Sequence, residues 1–244
     1  MSIKKKHISY SDTGKFSEII IDYLSKKESL EPFYNKLLSI QNLKDEAQNK
    51  VKLFSDSNRK TLVNSLNAQY KNFETTSAVK ENLEKLSKKN SVTVTTGHQL
   101  NLMTGPLYFI IKIISTIRIV EKLNSLNKKI NFIPVYWMAS EDHDFDEISY
   151  FNYKSNKIKW KTNQKGSVGK MNLDELKPVL DFFEKKLNDS KNSQEIKELI
   201  KLSYRSSQNL AEATLKIVNS LFGKYGLIII DADSKSLKNI FKVY

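Results

Sequence analysis

The chain has 244 residues, of which 39% are hydrophobic and 10% aromatic, enough to bury one large core or two small ones. It has no cysteine, which excludes disulfides, thiolate metal ligands and cysteine nucleophiles and suits a reducing compartment. The formal net charge of +13 is compatible with binding to a polyanion, but the lysines are scattered in pairs and triplets, as is typical of a solvated surface.

Residues 13–89 are predicted to be helical, because their apolar side chains recur at helical spacing. Asp56 is the expected N-cap of the second helix. Three groups of apolar residues define the predicted helices: Phe16, Ile19, Ile20, Tyr23 and Leu24 in the first, Leu62, Val63, Leu66 and Tyr70 in the second, and Val79, Leu83 and Leu86 in the third. We expect residues 1–89 to form a helical segment that packs on the core of the protein.

The chain changes character after Asn90, where a strand, helix, strand unit is predicted. Residues 91–95 form the first strand, Gly105 and Pro106 mark a helix start with proline at the first position, and residues 131–138 form the second strand. The helix is expected to be buried nearly all round. Such a connection joins parallel neighbours by a right-handed crossover. Residues 90–147 are therefore predicted to be the first half of an α/β core with a parallel sheet.

No segment of the sequence predicts insertion into a membrane. The longest apolar stretch, residues 107–120, is interrupted by Lys112 and Arg118 and is too short for a membrane span. Residues 1–14 lack the apolar core of a signal peptide. We therefore expect a soluble, cytoplasmic protein with no membrane partner.

The remaining elements are predicted to be an insertion, residues 148–206, followed by a return to the core in residues 207–244. A polar turn at residues 154–156 predicts a hairpin, and two helices are expected at about 173–187 and 194–204. A stronger helix at 210–222 is followed by an apolar run at 227–230, which is typical of a central parallel strand. Asp231 then lies at the carboxyl end of that strand.

A loop after the first predicted strand contains residue types expected of a binding site. It consists of Thr96, Gly97, His98 and Gln99. Ligands bind beyond the carboxyl ends of the strands in open α/β sheets, so His98 and His143, which follows the second strand, are expected to face one site. Gly97 lets a ligand approach the backbone, and Gly105 frees amides for an anion at the next helix start. The same residues are equally compatible with an ordinary turn.

A second loop surrounds His143 with five acidic residues. These are Glu141, Asp142, Asp144, Asp146 and Glu147. Asp144 and Glu147 have the spacing of a capping box, so a helix start explains part of the charge. Neighbouring carboxylates also raise each other's pKa unless cations or donors intervene, and Mg²⁺ held with a nucleotide is one such cation. No dedicated metal site is predicted, because zinc needs three or four convergent ligands.

Two longer stretches carry a family resemblance. Residues 95–108 begin with Thr-Thr-Gly-His-Gln and end with Met-Thr-Gly-Pro-Leu-Tyr, and residues 134–147 read Pro-Val-Tyr-Trp-Met-Ala-Ser-Glu-Asp-His-Asp-Phe-Asp-Glu. They resemble the signature stretches of the bacillithiol biosynthesis cysteine-adding enzymes, a family of cysteine ligases. Residues 13–24 and 32–34 are also similar, so the resemblance extends across most of the chain.

The resemblance implies a Rossmann-like core related to that of class I aminoacyl-tRNA synthetases, with N-terminal helices and an inserted hairpin and helical region. It also implies that ATP, with or without Mg²⁺, activates the carboxylate of cysteine, which the amine of glucosaminyl-malate then attacks. The residues it assigns are Thr96, Gly97, Gln99 and Gly105 to the nucleotide, His98, His143 and Asp142 to catalysis, and Trp137, Glu141 and Asp144 to the substrates.

Full-length members of this family are expected to be homodimers and to be about twice as long as this chain. Their coiled coil and the rest of the sheet are expected to lie outside these residues, leaving the sheet edge beside residues 227–230 unpaired. Three alternatives stay open: a generic adenylate-forming enzyme, an inactive fragment, and a basic nucleic-acid-binding module. The last would use residues 154–170 with Tyr153 and Trp160, and nucleic acid is the less favoured partner. Tyr136 and Trp137 are candidates for stacking on a base or sugar, although core packing is the commoner role of strand aromatics and is the expectation here.

Overall fold

A computed structural model describes residues 5–71 and 73–241 of the chain. The outermost residues of the predicted segments 1–89 and 207–244 therefore lie outside the described residues. The chain divides into two compact units, Met1–Glu46 and Ala47–Tyr244. Each unit is described separately.

The first unit is built from short helical elements. They are α1 (Glu18–Leu24), 3-10 turns at Ser11–Thr13 and Glu28–Phe33, and the beginning of α2 (Ile40–Leu53). The helix predicted around residues 16–24 is confirmed as a helix, but no residue of α1 is buried, and Ile19 is 63% exposed. Tyr23 packs edge-on against Tyr34, with ring centroids 5.3 Å apart. Helical spacing therefore predicted the conformation of this segment, and its packing on the core stays a prediction.

The second unit alternates helices and strands. In chain order its elements are α3 (Asp56–Tyr70), α4 (Ser77–Leu86), β1 (Ser91–His98), α5 (Leu107–Leu126), β2 (Asn131–Met138), α6 (Phe145–Ile148), β3 (Tyr150–Tyr153), β4 (Asn156–Lys159), α7 (Lys177–Lys186), α8 (Lys191–Ile200), α9 (Leu210–Phe222), β5 (Ile228–Asp231) and α10 (Lys235–Phe241). The predicted elements of this region are confirmed, with ends that differ by a few residues.

Strands β1, β2 and β5 form a parallel sheet whose order among the described residues is β1-β2-β5. β1 and β2 are in register from Ser91 opposite Asn131 to His98 opposite Met138, which confirms the predicted strand, helix, strand unit. β5 carries the apolar run that predicted a central strand, but β2 is central and β5 pairs only with β2 among the described residues. The sheet edge beside residues 227–230 thus has no strand partner within the described residues, as predicted for a sheet that continues outside them, and a central position of β5 in that larger sheet stays a prediction.

Helices cover both faces of the sheet. On one face α3 and α4 pack over the alternate residues Ile133, Val135, Ile228 and Ile230. On the other face α5, α9 and the β3-β4 hairpin enclose Tyr136, Met138 and Ile229. Because neighbouring residues of a strand point to opposite faces, an apolar run such as β5 is needed where both faces are covered.

Helix α5 packs on β1 and β2 with only one face. Phe109, Ile113 and Ile117 are buried, whereas Leu107 is 71% and Ile111 52% exposed. The prediction that this helix is buried nearly all round was therefore wrong. No helix within the described residues is long and apolar enough to cross a membrane.

Two predicted helix starts shift by one residue. Ser55 rather than Asp56 is the N-cap of α3, because the Ser55 hydroxyl accepts a hydrogen bond from the Asn58 backbone N–H at 3.1 Å. Asp56 is then the first helical residue, where its charge still complements the helix dipole. Pro106 is the N-cap residue of α5, and it provides no side-chain hydrogen bond.

The predicted hairpin between residues 150 and 159 is confirmed. β3 and β4 pair in antiparallel register, and the turn residues Lys154 and Ser155 have positive φ angles of 46° and 63°. This is the conformation that two-residue hairpin turns require. After α8 the chain continues as one π-helical turn, Lys201–Arg205, which contains the buried Tyr204.

Candidate functional site

Gln99 joins the two segments that the sequence singled out. It follows the last residue of β1, and its Nε2 donates hydrogen bonds to Asp142 Oδ2 at 2.8 Å and to Glu147 Oε2 at 2.9 Å. One side-chain amide therefore uses both its hydrogens to hold two carboxylates of the acidic loop. The structure thus brings the two segments together at the carboxyl edge of the sheet.

The first of these segments is not the loop that was predicted. Thr96, Gly97 and His98 belong to β1, because the strand stays paired with β2 up to His98 opposite Met138. The loop begins at Gln99. Side chains of residues 96–98 therefore have the fixed alternating directions of a strand, with only Gln99 free to reach across to the acidic loop.

Asp142 is surrounded by hydrogen-bond donors. The amide of Gln99 is the largest cause that lowers the pKa of Asp142, and the backbone N–H of Asp144 lowers it further at 3.1 Å from Oδ1. Partial burial acts in the opposite direction, and the backbone N–H of His143, at 2.7 Å from Oδ1, again lowers the pKa. The sequence left open whether hydrogen-bond donors or cations keep the pKa of these carboxylates from rising, and for Asp142 such donors are present. At neutral pH Asp142 is a carboxylate, able to accept a proton or to bind a cation.

The other acidic residues of this loop have separate partners. Asp144 Oδ1 accepts from the backbone N–H of Glu147 at 3.4 Å as the N-cap of α6, and Asp146 pairs with Lys159 at 3.5 Å. Glu141 has one buried carboxylate oxygen, Oε2, that lacks a hydrogen-bond partner. Within the part of the chain that the structure describes, no three His, Asp or Glu side chains are grouped to hold a metal ion.

His98 is a half-buried imidazole at the end of β1. Its ring centroid lies 5.1 Å from that of Tyr108 and 5.2 Å from that of Phe109. Nδ1 is 3.1 Å from both the Gln99 carbonyl oxygen and Asn101 Nδ2. Burial is the main cause that lowers the pKa of His98, the Gln99 carbonyl opposes it, and the charge of Lys112 lowers the pKa further. The ring is therefore uncharged at neutral pH and able to accept a proton.

His143 lies in a different environment from His98. Its backbone N–H binds Asp142, while its side chain is exposed. The two segments meet through Gln99 rather than through their imidazole rings.

Gly97 and Trp137 lie opposite each other in register at the end of the sheet. A Cβ on Gly97 would be 3.7 Å from the Trp137 side chain, an ordinary contact, and Trp137 is 36% exposed. Tyr136 points to the other face, where it is fully buried and its hydroxyl donates to the His98 carbonyl oxygen at 3.1 Å. Tyr136 is core, as expected, whereas Trp137 has ring surface available for stacking.

A tight turn connects Gln99 with α5. Met103 and Thr104 have positive φ angles of 50° and 67°, and the buried Tyr204 hydroxyl accepts from the Met103 backbone N–H at 2.9 Å. Gly105 has φ 58°, and a Cβ there would lie 2.4 Å from Asn101 Cβ. Glycine is thus required at this position by the turn itself and by its packing against Asn101.

A cavity of about 890 Å³ opens beside this turn. Gln99, Asn101 and Glu147 form its polar end. Most of the remaining wall is aromatic and aliphatic, and includes Tyr108, Ile110, Tyr150, Phe151, Tyr153, Phe183, Leu199, Ile217 and Leu221. Its size is within the usual range of small-molecule sites. Sequence reasoning missed Asn101 and gave Glu147 no ligand role, although both lie within or between the two signature stretches.

A second cleft, of about 520 Å³, lies at the carboxyl ends of β2 and β5. Ser140 hydrogen-bonds through its hydroxyl to Asp231, which is 91 positions away in the sequence. Asp233 is 2.5 Å from both Lys170 and Lys238, and Lys170 is the largest cause that lowers the pKa of Asp233. These contacts fix the segment before the acidic loop. No local sequence pattern predicted these contacts, although Asp231 was recognised as the residue at the end of its strand.

The two aromatic residues that accompany the basic stretch 154–170 lie in different surroundings. Trp160 is fully buried and packs edge-on against Phe145, with centroids 5.0 Å apart. Tyr153 is half-buried, and Lys154 Nζ lies 5.4 Å from the centroid of its ring. Trp160 is therefore not available for stacking on a base, and a nucleic-acid module stays an untested alternative.

Comparison with known proteins places the chain among relatives of one kind. The family described as "Bacillithiol biosynthesis BshC, N-terminal Rossmann-like domain" matches residues 3–244. A protein of Flavobacterium johnsoniae named "Putative cysteine ligase BshC" is 46% identical over 237 residues, which cover 97% of this chain and 45% of the relative. Relatives of the same name from Cytophaga hutchinsonii and Natranaerobius thermophilus are 38% and 31% identical, over 96% and 88% of this chain and 42% and 41% of theirs. The chain thus spans less than half the length of these curated relatives.

Proposed function

Because the chain belongs to the bacillithiol biosynthesis BshC family, whose N-terminal Rossmann-like domain it matches, we propose that it provides the activation site of an ATP-dependent cysteine ligase. In the proposed reaction ATP transfers a phosphoryl or adenylyl group to the cysteine carboxylate. The amine of glucosaminyl-malate then forms the amide bond, displaces that group and releases a proton.

The observation that carries this proposal is the bridge from Gln99 to Asp142 and Glu147. It assembles groups from two distant stretches at the carboxyl edge of a parallel sheet, where open α/β folds bind their ligands. A strand end, an ionised carboxylate and an uncharged imidazole are thereby close in the fold. An acyl-transfer site needs such groups to orient substrates and to move a proton.

The start of α5 supports a role in binding phosphate. This helix has 20 residues, and no side chain caps its N-terminal amides. Uncapped N–H groups and the helix dipole favour an anion at this position. The exposed ring of Trp137, at the same edge of the sheet, suits stacking on the adenine base. ATP, when bound, would supply the leaving group that makes the carboxylate reactive.

The proton chemistry is proposed for His98 and Asp142. The attacking amine loses a proton as the amide bond forms, and the half-buried imidazole of His98, uncharged at neutral pH, is able to accept that proton. Asp142 remains ionised, and its negative charge is proposed to position the amino-acid substrate. His143, Glu141 and Asp144 stay proposed contributors to substrate binding or catalysis, as do Thr96, Gly97 and Gly105 for the nucleotide.

Several features of the whole protein also remain proposals. They are the relation of the core to class I aminoacyl-tRNA synthetases, the use of Mg²⁺ and homodimer formation.

The test is a ligation assay with ATP, cysteine and glucosaminyl-malate, in which the product is followed by mass spectrometry. The chain is compared with the full-length Flavobacterium johnsoniae relative and with two variants, His98→Ala and the control His7→Ala, which changes an exposed histidine of the first unit. Product that is lost in His98→Ala alone supports the proposal. Absence of product from both wild-type proteins refutes it, whereas ATP-pyrophosphate exchange without ligation favours the broader adenylate-forming class.

A further inference from the structure

At the polar end of the large cavity, Gln99 and Glu147 present hydrogen-bond acceptors. Both hydrogens of the Gln99 amide are used by Asp142 and Glu147, so Gln99 offers a ligand its carbonyl oxygen Oε1. Glu147 Oε2 accepts one of these bonds, which leaves its Oε1 for a ligand. A phosphate needs donors, and these two side chains have none left to give.

The charge of the cavity wall agrees with this pattern. Glu147 is the one charged side chain among the lining residues that the structure describes. The remaining wall is largely aromatic and aliphatic and adds no charge, so the Glu147 end of the cavity is the negative one. Such an end attracts a cation that carries hydrogen-bond donors.

Two rings of the cavity wall already contact lysines. Lys157 Nζ lies 3.6 Å from the centroid of the Tyr150 ring, and Lys154 Nζ lies 5.4 Å from that of Tyr153. Each of these rings therefore already has an ammonium group on one face. A positively charged ligand group consequently has its favourable position at the Glu147 end.

We propose that this cavity binds a ligand through a primary ammonium group, which Glu147 Oε1 and Gln99 Oε1 accept, while the aromatic wall covers the rest of the ligand. The inference rests on the proposed function and deepens it. It assigns Gln99 to the amine substrate rather than to the nucleotide. Two substrates of the proposed reaction carry this group, the amino acid and the amino sugar.

Calorimetric titration of the whole chain with matched probes distinguishes these two sources. Cysteine is compared with 3-mercaptopropionate, which lacks the amine, and glucosamine with glucose. In one of the two pairs we expect the probe with the amine to bind at least about tenfold more tightly than the probe without it, because a hydrogen bond to a charged group contributes about this difference in affinity. That pair identifies the occupant of the cavity. Equal affinities within both pairs, or no binding of any of the four probes, overturn the proposal.

The variant Glu147→Gln keeps the shape and the acceptor for Gln99 but removes the charge. We expect it to weaken the amine probe about tenfold and to leave the amine-free probe unchanged. Asp146→Asn is the matched control, because Asp146 is an exposed carboxylate of the same loop and does not line the cavity. Both substituted positions are exposed, and circular dichroism checks that both variants fold.

Failure of this inference and failure of the proposed function give different results. If the ligation assay yields product and Glu147→Gln leaves the KM of both amine substrates unchanged, the ligase proposal stands and the ammonium site is wrong. If Glu147 selects an amine probe but no product forms even in the full-length relative, the ammonium site stands and the ligase proposal is wrong.

Discussion

Replacing Gln99 by Met tests whether the bridge holds the site together. The change removes both donors and keeps the length of the side chain, so Asp142 and Glu147 lose the bonds at 2.8 Å and 2.9 Å. A hydrogen bond to a charged group contributes about 1.5–3 kcal/mol when it is well shielded. Because these groups are partly exposed, solvent reduces the pair to about 1–2 kcal/mol in total. In a protein of this size that corresponds to a fall of about 2–8 °C in Tm.

The effect must depend on pH with a definite sign. The folded state lowers the pKa of Asp142, so its contribution to stability is present above the ordinary aspartate pKa and is lost as pH falls through the folded value. In Gln99→Met the pKa of Asp142 rises towards its ordinary value. The stability difference between the wild type and the variant should therefore be largest near neutral pH and should narrow in acid.

Urea unfolding followed by circular dichroism at about pH 7 and about pH 3 measures this difference. Carbon NMR of the Asp142 carboxyl group gives the direction of its titration directly. The control Gln194→Met changes an exposed glutamine of α8 whose amide makes one long bond, 3.4 Å to the Asp189 carbonyl oxygen. Its free energy of unfolding should stay within about 0.5 kcal/mol of the wild type. A difference for Gln99→Met that is absent at neutral pH, or that stays constant into acid, refutes the reasoning.

Three further substitutions test the supports of the site. Gly105→Ala, with φ 58° and a Cβ 2.4 Å from Asn101, should lose about 2–4 kcal/mol of unfolding free energy in urea, whereas Gly166→Ala, with φ 96° and open space around it, should lose only about 1–2 kcal/mol. Tyr204→Phe leaves the Met103 N–H without its partner, so a loss of about 1–3 kcal/mol and faster hydrogen exchange at Met103 are expected. Gly169→Ala places a Cβ 2.6 Å from the Ser140 carbonyl oxygen, and the displaced segment should lower product formation in the ligation assay.

Periodicity was sufficient to predict most of the second unit. The β-branched runs at β1 and β2, the helix between them and the isoleucines of β5 all correspond to observed elements. Periodicity failed where the same apolar pattern is compatible with both a fully buried helix and a partly exposed one. The stripe of α5 is wide enough for a fully covered helix, yet Leu107 and Ile111 are exposed, because α5 packs on only two strands. A sequence shows which side chains are able to be buried, whereas the neighbours decide which ones are.

The candidate site divides in the same way. The sequence predicted that the ends of β1 and β2 meet, and the structure places Gln99 beside the acidic loop. The long-range contacts were not readable, because Ser140 with Asp231 or Tyr204 with Met103 involves residues that no local pattern relates. The hydrogen-bond donors around Asp142 could not be identified from the sequence for the same reason. They include an amide 43 positions away, and that amide decides the direction of the pKa change.

The conformation of β1 explains why Gln99, rather than His98, connects the two stretches. A loop at residues 96–99 would have allowed any of its side chains to reach the acidic residues. Pairing with β2 continues to His98, so the ring of that residue is directed into the packing of Tyr108 and Phe109. Gln99 is the first residue after the part of β1 that pairs with β2. Its side chain has the length and the two amide hydrogens needed to bridge two separate carboxylates. The end of the strand thus sets which side chain links the two stretches, and the half-buried ring of His98 stays packed against Tyr108 and Phe109.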